Sequence, residues 1–151
     1  MSGKAELRLD DLIQFFAETG GALPVQEEQL RLRKWIADVC DGEGAKLDAL
    51  NYVFCGDAYL LEINRQYLQH DYYTDIITFP SVEAPLVGGD IFISTDRVKE
   101  NAATYGSSYS NELRRVIIHG VLHLCGQGDK TEEEAAQMRR KEDQALAKVN
   151  W

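Results

Sequence analysis

His119 and His123, in the stretch HGVLHLCGQGDKT (119–131), are spaced to share one metal ion. Residues four apart on a helix stand one turn above each other on the same face, and a neutral imidazole is a common zinc ligand. A zinc protease follows its first histidine with the glutamate that acts as general base. Here Gly120 holds that place. No third histidine follows, but Asp129 lies six residues after His123, just past a break at Gly126 and Gly128. Two histidines and a carboxylate form a three-ligand set that leaves one position for water, as in catalytic zinc sites. His119, His123 and Asp129 are therefore the candidate ligands. Zinc is the expected ion, with manganese and nickel as secondary occupants. Water on such an ion ionises near pH about 7 and can attack a phosphodiester with little further help. Peptide hydrolysis, by contrast, lacks its usual base.

The histidines must be carried by a helix running from about Tyr109 to Cys125. Leu113, Val116, Ile117, Gly120, Val121 and Leu124 recur on it at helical spacing and make one apolar stripe. Glu112, Arg115, His119 and His123 make a second stripe, so the histidines line a polar groove on a largely buried helix. Gly120 is read as the place where another backbone comes close. Glu112 stands two turns from His119, too far to touch the ion, and is assigned to anchoring the helix start.

Around this helix the pattern predicts strands at 12–18, 47–55, 75–79 and 90–94, with a loop through Gly88 and Gly89 before the last. It predicts helices at 25–40, at 58–68 with Asp57 as cap, at 96–105 ending on Gly106, and at 132–148. Thr131 and Glu134 form a capping-box pair at the start of the last one. The order implies an α+β single domain over 1–151, with a mixed four-stranded sheet packed with helices.

The net charge of −9 argues against non-specific nucleic-acid binding, so any such role must rest on a site. Cys40, Cys55 and Cys125 are odd in number and suit a reducing compartment. No apolar run approaches the roughly 20 residues of a membrane span. The opening MSGKAELRLDD lacks a signal peptide's apolar region, so a cytoplasmic protein with no membrane role is expected.

HGVLHLCG, preceded by ELRRVII, is similar to the HGxLHLxG signature of the YbeY family of bacterial metal-dependent endoribonucleases. INRQYLQHDYYTDIITFP resembles that family's LNxxYRxxDxPTDVLSFP, and GGDIFIS its GDIxIS. The three blocks span about residues 47 to 146 in the family's order. The resemblance implies a zincin-like metal-site helix and cleavage of single-stranded segments in ribosomal RNA. It also implies action in rRNA maturation and ribosome assembly, with the small ribosomal subunit and not DNA as partner. Two positions depart from the pattern. Without a gap, Asp129 stands where the family has its third histidine. With a one-residue insertion Lys130 would stand there, and a protonated lysine is no ligand. Leu68 replaces an arginine to which the family assigns a catalytic part. That part would fall to Arg115, Arg65 or Lys130. Asp75 is the candidate for orienting the site, so the catalytic set reads His119, His123, Arg115 and Asp75. His70, Tyr72 and Tyr73 either stack on bases or simply pack a loop, and Arg139, Arg140 and Lys141 are read as a solvated face. Two rivals remain: a zincin-type peptide or amide hydrolase with a base from elsewhere, and a non-catalytic ribosome-assembly factor with a structural metal.

Overall fold

The structure, a computed structural model, describes residues 8–151. Most of the opening segment read for a signal peptide, residues 1–7, lies outside it. The chain forms α1 (Leu9–Leu12), β1 (Ile13–Ala17), α2 (Gln26–Gly42), β2 (Lys46–Cys55), α3 (Asp57–Leu68), β3 (Ile76–Pro80), β4 (Leu86–Ser94), α4 (Thr95–Tyr105), α5 (Tyr109–Leu124) and α6 (Glu132–Ala147). The sheet order is β1-β2-β4-β3. β1, β2 and β4 run parallel, and β3 pairs antiparallel with β4 as an edge strand. This is the mixed four-stranded α+β domain expected from the sequence. α1, a single turn of LDDL, leaves no sequence signature because four residues are too few to show a period.

Period-two alternation sends Leu50, Tyr52 and Phe54 of β2, with Ile91 and Ile93 of β4, to one face, all fully buried. There they meet Leu32, Trp35 and Ile36 of α2 and the apolar residues of α5. The other face is covered more thinly, by α3 over Ile77 and Phe92. Two buried donors fix the helices on the main core. Tyr52 donates its hydroxyl to the Ile117 carbonyl at 3.2 Å, and Trp35 donates its indole N–H to the Ala145 carbonyl at 3.0 Å. The first ties α5 to the sheet beside the turn that carries His119. The second ties down the end of α6.

Two local expectations are corrected. Gly88 and Gly89 belong to β4, not to a loop, because Lys46 and Leu47 pair with Leu86 and Val87 before a bulge in the ladder. Gly89 sits at φ +138°, and a Cβ there would lie 2.2 Å from the Phe79 carbonyl oxygen. The glycine is a requirement of β3 pressing on β4. Gly89→Ala is expected to cost roughly 2–3 kcal/mol in stability, read as a lowered urea midpoint. An unshifted midpoint would contradict so close an approach of the two strands. Asp57 does not cap α3 either. Gly56 is the cap residue, Asp96 accepts from the Asp57 N–H, and the Asp57 carboxylate takes hydrogen bonds from Ser94 and Arg97.

A candidate metal centre at the α5–α6 cleft

α5 starts at Ser108, whose hydroxyl accepts from the Asn111 N–H, so the helix start is anchored there and not by Glu112. Its far end is a Schellman motif. Gly126 turns at φ +103°, its N–H bonds the His123 carbonyl, and the Gln127 N–H bonds the Leu122 carbonyl. The chain then folds back toward the helix. The capping box at Thr131 and Glu134 closes the return and starts α6. The 126–131 link thereby brings Asp129 back over His119.

Asp129 Oδ2 stands 3.4 Å from His119 Nε2. The other ring nitrogen is already committed: His119 Nδ1 donates to Glu142 Oε2 at 2.7 Å. Glu142 is only 5% exposed, and its second oxygen accepts from Arg115 at 3.0 Å. Arg115 reaches on to Asp143, also at 3.0 Å. Both oxygens of a buried carboxylate are thus satisfied, which its burial demands. The hydrogen bond that His119 donates to Glu142 holds the imidazole above its ordinary pKa, against the pull of burial. Burial pushes the Glu142 carboxyl up, but the bonds from His119 and Arg115 outweigh it and hold it below the usual range.

These residues wall a cleft of about 400 Å³. Asp75 enters it from the start of β3, with Asn101 of α4 3.5 Å away. Burial raises the Asp75 carboxyl, while His119 and nearby backbone N–H groups draw it down. Glu112 lies deeper, 6% exposed, and burial raises its carboxyl too. Gly120 lets the sheet close over this side, though the approaching groups are side chains and not the expected backbone. A Cβ on Gly120 would lie 2.9 Å from Ile76 Cδ1 and 3.1 Å from Ile91 Cδ1.

Of the predicted site residues, the structure therefore gathers His119, Asp129, Arg115 and Asp75 in one cleft. His123 is exposed one turn beyond and does not line it. Leu68, Arg65 and the His70–Tyr73 segment sit at another corner, where Arg65 pairs with Asp71 at 2.6 Å. Arg139 does reach the cleft wall. Sequence reasoning misses Glu142. Its signal is present all the same: it falls in line with the buried Met138 and Ala145 of α6, a carboxylate on an apolar stripe.

The residues fit a cation in two respects. Two ligand atoms of a tetrahedral zinc site stand roughly 3.4 Å apart, from bond lengths of about 2.0–2.2 Å. His119 Nε2 and Asp129 Oδ2 have that separation, and a carboxylate on the opposite ring nitrogen is the usual support of a ligating histidine. Among the described residues the cleft wall also carries four carboxylates (Asp75, Glu112, Asp129, Glu142) against two guanidinium groups, Arg115 and Arg139. Among the described residues no three His, Cys, Asp or Glu side chains close around one point; the His119–Asp129 pair is formed and His123 stands outside it.

The family model for endoribonuclease YbeY matches residues 21–150. The chain is 50% identical over 134 residues to an endoribonuclease YbeY of Porphyromonas gingivalis, covering 89% of this chain and 87% of the relative. It is 51% identical over 114 residues to that of Bacteroides thetaiotaomicron, covering 76% and 83%. A Thermotoga maritima protein solved in solution superposes with a TM-score of 0.60 at 23% identity, over 89% of this chain and 86% of that one, and shows the same fold. With a match along nearly its whole described length that includes the histidine helix, the chain belongs to the endoribonuclease YbeY family.

Proposed function

We propose that this endoribonuclease matures ribosomal RNA during assembly of the small ribosomal subunit, in the cytoplasm, with a zinc ion held by His119, His123 and Asp129. The observation that carries the metal reading is the His119 Nε2–Asp129 Oδ2 separation of 3.4 Å, with Nδ1 already bound to Glu142. His123 would complete the set by rotating its exposed side chain, a motion of picoseconds to nanoseconds for a surface residue. Charge supports the same reading. Four carboxylates against two guanidinium groups would repel a phosphodiester unless a cation balanced them.

A bound ion would supply Lewis-acid chemistry here, acidifying water and drawing charge from a phosphodiester oxygen. The protein's own side chains do the rest. Glu142 holds the His119 tautomer with Nε2 facing the cleft. Arg115, clamped between Glu142 and Asp143, positions that carboxylate and is not free to meet the substrate. Asp75 faces the ligand pair from the β3 side and, with its proton affinity raised, can hydrogen-bond an attacking or departing oxygen. Arg139 on the wall is placed to meet a phosphate. Gly120 offers no base for peptide hydrolysis, and Ile76 and Ile91 fill the space a glutamate there would need.

Metal-loaded protein should cut structured rRNA fragments and leave an unfolded polypeptide intact. Gel analysis of both substrates side by side decides it; a cleaved polypeptide beside intact RNA would replace this reading with a peptidase. Among the described residues no helix is long and apolar enough to cross a membrane.

A further inference from the structure

The corner between α3 and β3 holds a second cavity, of about 240 Å³, that the metal chemistry does not use. It is smaller than the roughly 300–1,000 Å³ of pockets for drug-sized ligands. Leu68, Ile76 and Ile77 give it apolar walls, and His70, Tyr72 and Thr78 give it rings and a polar margin. Ile76 also lines the metal cleft, so the two cavities share a wall. β3 is the outermost strand, so its far edge faces this cavity with no strand beyond it among the described residues.

We propose that this corner is a base-stacking subsite, which takes one unpaired nucleobase of the RNA next to the phosphate being cut. The proposal rests on the endoribonuclease reading above. Its platform is His70 and Tyr72, whose rings stack at 5.1 Å and 21°. The Tyr72 hydroxyl and His70 Nδ1 lie 2.9 Å apart in a hydrogen bond. The platform is held from beneath: buried Asn64 donates its side-chain amide to the Tyr72 carbonyl at 3.0 Å, and its own backbone carbonyl accepts from the His70 N–H at 3.1 Å. A stack that is ordered before binding loses little entropy when a base arrives. Tyr72 remains 55% exposed, which leaves ring surface for a third aromatic layer.

Charge decides between a base and a phosphate as occupant. Among the described residues no lysine or arginine lines the cavity. The nearest one in sequence, Arg65, is bound to Asp71. Leu68 supplies an aliphatic wall. Such a surface suits the π-face of a base, which stacks on aromatic side chains without sequence preference. It does not suit the backbone of a duplex, whose bases are already stacked.

The test uses the full-length, metal-loaded protein and single-stranded RNA oligonucleotides, each carrying one abasic residue at a different place near the cut. For the wild type, KM should rise roughly tenfold on one abasic strand, the loss expected for one base–aromatic stack. Tyr72→Ala should raise KM on the intact strand by about the same factor, with kcat held, and show no further loss on that abasic strand. Tyr72→Phe keeps the ring and should keep the wild-type KM within about twofold, while His70→Ala, which removes half the platform, should fall between. An unchanged KM for Tyr72→Ala, or equal losses on intact and abasic strands, overturns the subsite and leaves the endoribonuclease reading standing. A wild-type protein that cuts none of the strands overturns both.

Discussion

Protein stripped of metal by a chelator is expected to lose RNA cleavage, and His119→Ala, His123→Ala and Asp129→Ala are each expected to lose the ion itself. Removing one of the three proposed ligands should weaken binding beyond the roughly 10–100-fold typical of outer supporting groups. Elemental analysis and competition with a coloured chelator read this without reference to activity. Folding does not confuse the result at two of the three positions. His123 and Asp129 are exposed, and surface substitutions usually change stability by less than about 0.5 kcal/mol. Asp129→His should keep the ion, since an imidazole replaces the carboxylate as donor. Uptake should also weaken as pH falls through the raised pKa of His119, because proton and ion compete for the same nitrogen. If Asp129→Ala binds the ion as tightly as wild type, the third ligand lies elsewhere and the 3.4 Å approach to His119 is incidental.

The parts of this site that a sequence shows are those governed by local period and local caps. α5 is legible to within a residue because its apolar stripe runs for the whole helix, and Gly126 marks its end by turning at positive φ. The return of Asp129 is legible as a spacing, because the Gly126 turn and the Thr131 capping box both leave residue signatures. The α4 end at Gly106 is legible for the same reason. Contacts made across the sheet are not. Gly88 and Gly89 look like a loop to any local rule, and only the bulged pairing of β2 with β4 explains why they are strand. Asp57 looks like a cap until Asp96, 39 residues on, takes its backbone N–H. Arg115 reads as a free cation on the histidine stripe until α6 packs beside it and supplies two carboxylates. The role of Glu142 hides in the same way, since the apolar stripe of α6 is short and rich in charge.

Glu142→Gln is expected to keep the fold and to weaken metal binding about 10–100-fold, which makes Glu142 a positioning residue and not a ligand. The carboxylate accepts two hydrogen bonds at once, from His119 Nδ1 and from Arg115. A glutamine has one acceptor oxygen and an amide that donates. It can serve one partner, but it turns N–H groups toward the other. His119 is then free to take the tautomer with its proton on Nε2, the atom that faces Asp129. Glu142→Ala should do more harm, because it leaves Arg115 without its buried partner; breaking a buried pair from one side costs about 3–5 kcal/mol. The two variants separate orientation from stability. Urea midpoints near wild type for Glu142→Gln, together with weakened ion binding, would show that the carboxylate acts through the histidine. The pairing with Arg115 adds a further check: Arg115→Met and Glu142→Gln share one interaction, so the double variant should lose less ion affinity than the two single losses added together. Metal bound by Glu142→Gln at wild-type strength would mean that the 2.7 Å bond to His119 does no more than pack α6 against α5.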